Sequence, residues 1–323
     1  MTQAPIVCLV GPTGVGKSEV GLELAERWGA EIVAADSRQV YRGLDLGTAK
    51  PTPEDRDRVP HHMIDVAEPD QPYNAGQYER DARRCIDALV SRGAKALVVG
   101  GTGLYLRALL WGLCNGPQAD HDFRVEWRER ERESPGASYR RLSDVDPQAA
   151  ASIHPHDLPK ILRAIEVYAL TGVPLSVLHD GHGFRTPRYS HVLFGLRRDR
   201  EDLYRRIDMR VGEMMARGLV DEVEGLRRRG YGAHLPAMRA VGYRQILDAI
   251  EGRSRLDEAA NLIARETRRY AKRQMTWFGA NRAIRWIDLR PESAPSEVAD
   301  HIMACLETNE AEVEACSAGQ ESR

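Results

Sequence analysis

The stretch Gly11-Pro12-Thr13-Gly14-Val15-Gly16-Lys17-Ser18 constrains this chain more than any other. An apolar run, Ile6-Val7-Cys8-Leu9-Val10, precedes it, and a helical pattern from Glu19 to Trp28 follows. Strand, glycine-rich turn and helix give G-x-x-x-x-G-K-[ST] the geometry of a phosphate cradle. Glycines let backbone N–H groups converge on an anion, and the helix N-terminus adds partial positive charge. Lys17 would reach the phosphate farthest along the ligand, and the Ser18 hydroxyl would sit on Mg2+. A tight strand–helix turn with no ligand is the plainer reading of the same residues.

Next comes a short apolar strand, Glu31-Ile32-Val33-Ala34-Ala35, ending at Asp36-Ser37. Strand–loop–helix–strand order predicts a parallel sheet of the α/β class. In such sheets the carboxyl ends of strands gather around the ligand crevice, so Asp36 lands beside the phosphate loop. An ordinary turn or helix-capping aspartate fits that position equally well. Residues 39–60, rich in Gly, Pro and charge, read as a long loop beside the site. His61-His62 point different ways and have no third ligand nearby, so a structural role is favoured over metal. Asn74 to Arg92 has helical spacing, and Ala94 to Val99 is a buried strand. That strand ends in Gly100-Gly101-Thr102-Gly103, where a nucleotide hydrolase commonly carries an acidic residue. Glycine permits close backbone approach there, and Thr102 offers one hydroxyl.

From about Asp120 to Arg188, charged helical stretches broken by Pro, Gly and His replace apolar strands. We read 1–119 as the first part of the core and 120–190 as a helical insertion overhanging the crevice. His191 to Leu196 returns to strand, and 191–306 completes the core, mainly as helix. Arg265, Arg268, Arg269, Lys272 and Arg273, interleaved with Tyr270, Trp277 and Phe278, have the texture of an RNA or phosphate surface. A solvated charged face is the alternative. The polar tail 307–323 is expected to be disordered.

The net charge of −2 gives no global basic field, so nucleic-acid binding must come from local clusters. Five scattered cysteines without a C-x-x-C pair argue for a reducing compartment, with neither disulfide framework nor zinc site. No apolar run reaches membrane-spanning length, and Met1 to Pro5 leads straight into the first strand without a signal segment. The expectation is a cytoplasmic protein, with nothing that demands more than a monomer.

A series of further motifs carries a resemblance. Val33 to Pro51, Pro60 to Asp65, Val99 to Tyr105, Arg163 to Tyr168, Arg217 to Val223, Ala240 to Gln245 and Ala271 to Phe278 run in order along the chain. Together with the phosphate loop they resemble the tRNA dimethylallyltransferases, also called tRNA isopentenyltransferases or IPP transferases. The resemblance implies a P-loop NTPase-like parallel sheet with a helical insertion. It implies transfer of the dimethylallyl group of dimethylallyl diphosphate to N6 of adenosine 37 in tRNA, beside the anticodon. The loop Gly11 to Ser18 would then hold a prenyl diphosphate, with Mg2+ on Ser18. Lys17, the loop amides and Arg217 would stabilise the departing diphosphate. Asp36 would take the proton of N6, and Thr102 would orient the amine. Asp36, Ser37, Arg38 and Gln39, with Thr102, match the family's RNA-contacting regions. So do Pro159, Lys160, Ile161, Leu162 and Arg163, and Arg239, Ala240, Val241, Gly242, Tyr243, Arg244 and Gln245. The 120–190 insertion would clamp the anticodon stem-loop through salt-dependent phosphate contacts.

The chain departs from the family pattern His-Pro-Asn-Asp-x-Gln-Arg-Ile at His154-Pro155-His156-Asp157-Leu158-Pro159-Lys160-Ile161. Pro159 removes an amide donor, and Lys160 replaces a forked guanidinium with a point charge. Arg38 stands where methionine is common. Two other classes share some of these residues. A P-loop small-molecule kinase would fit the phosphate loop but not Gly100-Gly101-Thr102. An RNA-binding protein with a vestigial phosphate site would not need Lys17, Ser18 and Asp36 intact.

Overall fold

A computed structural model of the chain describes residues 5–114, 116–183 and 186–320. The N-terminal stretch 1–4, Asn115 in the break after the fourth helix, residues 184–185 and the last three tail residues lie outside the described residues. The chain divides into an α/β unit, up to Leu110 and from Tyr189 onward, and a helical unit, Trp111–Arg188. Composition alone places the same change at 120 and 190.

In the α/β unit, strands β1 (Ile6–Val10), β2 (Ala30–Ala34), β3 (His61–His62) and β4 (Lys95–Gly100) alternate with helices α1 (Lys17–Trp28), α2 (Pro53–Arg58), α3 (Ala75–Ser91) and α4 (Gly103–Trp111). After the helical unit, which carries α5 (His121–Glu133), α6 (Ala137–Val145), α7 (Pro147–Ser152), α8 (Leu158–Thr171) and α9 (Leu175–His182), the chain returns as β5 (His191–Arg198). Helices α10 (Arg200–Ala216), α11 (Leu219–Arg228), α12 (Tyr243–Ile250) and α13 (Leu256–Gly279) follow, then β6 (Ile284–Leu289) and α14 (Pro295–Gln320).

The described strands form a six-stranded sheet in the order β3-β2-β4-β1-β5-β6, and every pairing is parallel. Burial on both faces explains why β1 reads as an unbroken apolar run. Val7, Leu9, Leu97, Phe194 and Leu196 face a core completed by Leu24 of α1, Ile207 of α10 and Val298 and Ile302 of α14. On α3 and α4, Tyr78 and Tyr105 are buried and stack with ring centroids 4.1 Å apart. The helix starts have local causes. Asn74 caps α3 in a capping box with Gln77, and Thr52 caps α2 in one with Asp55, with proline at the first turn.

The register places the site. Val10 is level with Gly100, and Ala34 is level with Val99. The loop after β1, the turn after β2 and Gly101-Thr102 after β4 therefore emerge together at one edge of the sheet.

Two elements differ from the sequence reading. The 39–60 loop contains α2. The supposedly helical final third contains β6, an edge strand whose buried ends Ile284 and Leu289 flank the half-buried Trp286 and Ile287. The tail expected to be disordered lies, from Asn309 on, outside the residues whose side chains are described.

Within the helical unit, Leu142, Ile161, Leu162 and Ile165 form a separate core with Ala149 and Ala164. Its ionic centre is Glu166, whose side chain is fully buried. Arg124 grips both carboxylate oxygens at 2.7 and 2.6 Å, Arg163 donates to one at 2.6 Å, and the Asp120 amide donates to the other at 2.8 Å. Burial pushes the Glu166 carboxyl up, but these donors overrule it and hold it below its ordinary value. No single helix among the described residues is long and apolar enough to cross a membrane.

Candidate functional site: a phosphate loop and a carboxylate turn on one cleft

The phosphate loop takes the conformation its glycines allow. Gly14 and Gly16 have φ of 81° and 111°, the left-handed region that other residues avoid. Gly16 directly precedes α1, so the helix begins with free amides at Lys17 and Ser18. Side chains from three distant elements brace the loop. Arg198 at the end of β5 donates to the Val15 carbonyl at 2.9 Å, and Arg206 on α10 donates to the Gly14 carbonyl at 3.1 Å. Gln274 on α13 accepts from the Thr13 amide at 2.8 Å.

Lys17 donates to the Pro12 carbonyl at 2.7 Å. Its surface is only partly covered, but its ammonium is enclosed by protein, and the enclosure governs its charge. Burial pulls the ammonium down to about 8 from 10.5; Arg210 pulls the same way, while Asp36 and Glu19 oppose. Arg210 is also enclosed. Burial lowers its guanidinium too, against the pull of Glu19, Asp36 and Glu213. Its hydrogen bond is a long one, 3.5 Å to the Thr13 hydroxyl, and no carboxylate among the described residues lies within ion-pair distance. Two poorly compensated cations beside a glycine loop concentrate positive charge at the head of α1.

Asp36 follows β2 directly. Its Oδ1 accepts from the amides of Arg38 at 2.8 Å and Gln39 at 3.3 Å. It is thus a turn-capping aspartate, and its Oδ2 has no donor among the described residues. Capping fixes the carboxylate and leaves one oxygen for chemistry. Thr102 secures the turn from behind: its amide donates to the Ala35 carbonyl at 3.1 Å, and its hydroxyl accepts from the Ser37 amide at 3.0 Å. Thr102 does not line the cleft, although Gly100 and Gly101 do. The glycines here serve protein packing. A Cβ on Gly100 would lie 2.2 Å from the Ala35 carbonyl oxygen, and one on Gly103 would lie 2.0 Å from the Trp277 indole nitrogen. Tyr270, hydrogen-bonded to Thr102, has its phenol pushed up to about 12, by burial first and by Asp36 second.

Loop and turn open onto one cleft of about 1520 Å³, whose lining includes Lys17, Ser18, Asp36, Gln39, Arg210 and Arg217. Arg217, at the C-cap of α10, is exposed. The 39–65 segment forms much of the remaining wall and is firmly tied. The buried Lys50 donates to the Tyr41 carbonyl at 2.6 Å, to Asp45 at 2.7 Å and to Asp65 at 2.5 Å. Gln39 donates to the carbonyls of Thr48 and Ala49 at 3.1 Å each. From α11, Glu222 accepts from the amides of Leu46 at 2.7 Å and Gly47 at 3.5 Å, and from the Tyr243 hydroxyl at 2.5 Å.

The other sequence-selected residues fall into two groups. Arg38 is brought to the 236–245 segment, donating to the Pro236 carbonyl at 3.1 Å, and Arg239 and Arg244 are exposed beside it. Val241 is half-buried, whereas Ala240, Gly242, Tyr243 and Gln245 are buried, and the Gln245 side chain caps the Gly242 amide at 2.9 Å. These four are packed into the fold, and Gln245 Nε2 has no hydrogen-bond partner among the described residues. In the helical unit Ile161 and Leu162 are core, and Arg163 is committed to Glu166 and to the Pro117 carbonyl at 2.9 Å. Lys160 is exposed and pairs with Asp157 at 2.5 Å. Pro159 sits in the first turn of α8, where an amide has no helical acceptor, so the donor it lacks is not missed. His62 bonds Glu31 at 2.7 Å and His61 bonds the Val59 carbonyl at 2.7 Å, and no metal-ligating cluster occurs among the described residues. On α13, Arg268 pairs with Asp208 and Arg269 with Glu266, leaving Lys272 and Arg273 as the exposed cations nearest the site.

An all-parallel sheet thus carries a glycine-rich loop and a carboxylate turn that open onto one cleft. The IPP transferase model matches residues 39–282, and the isopentenyl transferase model matches residues 4–66. The chain belongs to the IPP transferase family. It is 47% identical over 299 residues to tRNA dimethylallyltransferase 2 of Geotalea uraniireducens, covering 92% of this chain and 96% of that protein. It is likewise 47% identical over 288 residues to the tRNA dimethylallyltransferase of Geobacter sulfurreducens, covering 89% and 93%. Among solved structures, the full-length tRNA isopentenylpyrophosphate transferase of Bacillus halodurans aligns with a TM-score of 0.70 at 36% identity, over 96% of this chain and 99% of that one.

Proposed function

We propose that this protein transfers the dimethylallyl group of dimethylallyl diphosphate to N6 of the adenosine at position 37 of tRNA, releasing diphosphate. The observation that carries the reading is the shared cleft. Lys17 of the phosphate loop and Asp36 of the next strand's turn line the same cavity, so a leaving diphosphate and an incoming amine can meet there.

In the reaction the allylic C–O bond breaks and its electron pair leaves with the diphosphate. Lys17, Arg210, Arg217 and the amides at the head of α1 stand where that negative charge grows. A C–N bond forms to N6, whose lone pair is delocalised into the ring and weakly nucleophilic. Asp36 Oδ2 accepts the N6 proton as the bond forms. The base must leave its stack to enter the cleft, which costs least in an already single-stranded loop. The donor set suits magnesium. The exposed Ser18 hydroxyl is a hard oxygen donor on the cleft and would join phosphate oxygens and water around the ion. When bound, Mg2+ supplies further positive charge to the diphosphate.

The experiment is nucleoside mass spectrometry on unmodified tRNA treated with protein, Mg2+ and dimethylallyl diphosphate. Appearance of N6-(dimethylallyl)adenosine is expected. Unchanged tRNA, with phosphate transferred from γ-labelled ATP to a small acceptor, would replace this reading with that of a kinase.

A further inference from the structure

We infer that Gln274 is a positioning residue that fixes the distance between the leaving-group cradle and the base-binding turn. The inference rests on the transferase reading above. Gln274 lies on α13, far in sequence from both features, and is 6% exposed. Its Oε1 accepts from the Thr13 amide at 2.8 Å, and its Nε2 donates to the Gly101 carbonyl at 2.9 Å. The orientation of its amide is fixed by these partners, since an N–H can only donate and a carbonyl can only accept. One planar group therefore spans the phosphate loop and the end of β4. From Gly101 the connection continues through Thr102 to Ala35 and Ser37, the residues on either side of Asp36.

The surroundings leave the bridge no slack. A Cβ on Gly101 would lie 2.3 Å from Gln274 Nε2 and 3.3 Å from the Gly11 carbonyl oxygen. Glycine at 101 thus lets the amide sit between the two backbones. Both polar atoms of the Gln274 amide are engaged by backbone. It acts by holding Thr13 and Gly101 at one separation, and with them the diphosphate and the amine. Transfer between two bound groups is steep in such a separation, and a misplacement of about 1 Å costs roughly 10²-fold.

Two substitutions test this from opposite sides. Gln274→Met keeps the length and removes both hydrogen bonds. Gln274→Glu keeps the shape, and only its protonated carboxyl can both accept from Thr13 and donate to Gly101. Single-turnover prenyl transfer on unmodified tRNA is measured from pH 5.5 to 8.5, below each variant's melting midpoint and relative to wild type at the same pH. For Gln274→Met, kcat is expected to fall roughly 10²-fold with KM for dimethylallyl diphosphate within about 3-fold, at every pH. For Gln274→Glu, the ratio to wild type is expected to climb as pH falls. A generally loosened fold would not recover on acidification. A pH-independent ratio for Gln274→Glu, or turnover near wild type for Gln274→Met, would overturn the inference. Absence of transfer by the wild type itself would instead refute the functional reading.

Discussion

Replacing Lys17 by methionine should make the free protein more stable while destroying its ability to hold diphosphate. Enclosure lowers the ammonium from 10.5 to about 8. At about 1.4 kcal/mol per pH unit, keeping it charged at pH 7 costs the fold about 3 kcal/mol. Methionine has similar length and no charge. It forfeits the hydrogen bond to the Pro12 carbonyl, worth about 1 kcal/mol. The net gain is about 2 kcal/mol, or a melting midpoint about 5 °C higher in a unit of this size. The pH dependence gives the reasoning its sharper form. The folded value lies below the unfolded one, so the unfolded chain holds more protons between pH 8 and 10.5. Wild-type stability therefore rises across that window relative to the variant, and the full penalty is present only below pH 8. Thermal or urea unfolding of both proteins at pH 7 and pH 10.5 measures this difference of differences. A variant less stable than wild type at pH 7, or a gap that ignores pH, would refute the argument that the loop confines a costly charge.

The same lysine sets a second expectation. Binding of inorganic pyrophosphate, followed by calorimetry, should weaken as pH rises through about 8, because the ammonium loses its proton there; constant affinity from pH 7 to 9.5 would count against it. Asp36→Asn keeps the Oδ1 cap on Arg38 and Gln39 but cannot accept a proton, so prenyl transfer should drop by roughly 10²–10⁴-fold with little change in melting. Asp36→Ala should lose the same activity and, with the cap gone, about 1 kcal/mol of stability as well; normal turnover by either variant removes Asp36 as the base. Arg163→Ala strips one of two guanidinium partners from the buried Glu166, so the helical unit should lose about 3 kcal/mol, read by urea unfolding of the full chain. An effect confined to tRNA affinity would show that Arg163 serves the RNA after all.

Much of the site was legible because its parts obey local rules. The glycine spacing announces the cradle, the apolar runs announce β1, β2, β4 and β5, and the chain order places Asp36 beside Lys17. Gln274 and Arg210 were not legible as site members, because a buried polar residue on a long helix leaves no periodic signature. Its partners lie more than a hundred residues away, and only the sheet register brings them together. Within Ala240 to Gln245, only the fold separates the buried Tyr243, hydrogen-bonded to Glu222, from the exposed Arg244. Sequence patterns do not separate a residue that touches RNA from one that holds up the wall beside it. The edge strand β6 escaped notice because it is short and closely follows the 24-residue helix α13.

The clasp on the 39–65 wall carries a consequence for how this enzyme can change. Glu222 holds two backbone amides of the wall and the Tyr243 hydroxyl at once, and a Cβ on Gly47 would strike the Tyr243 ring at 2.5 Å. Three segments distant in sequence are thereby locked into one mutational block. Alanine at 47 becomes tolerable only once the ring at 243 has shrunk, and a shorter ring in turn strands the carboxylate at 222. Divergence of this wall must proceed by joint replacement, so the order in which substitutions accumulate decides which of them survive.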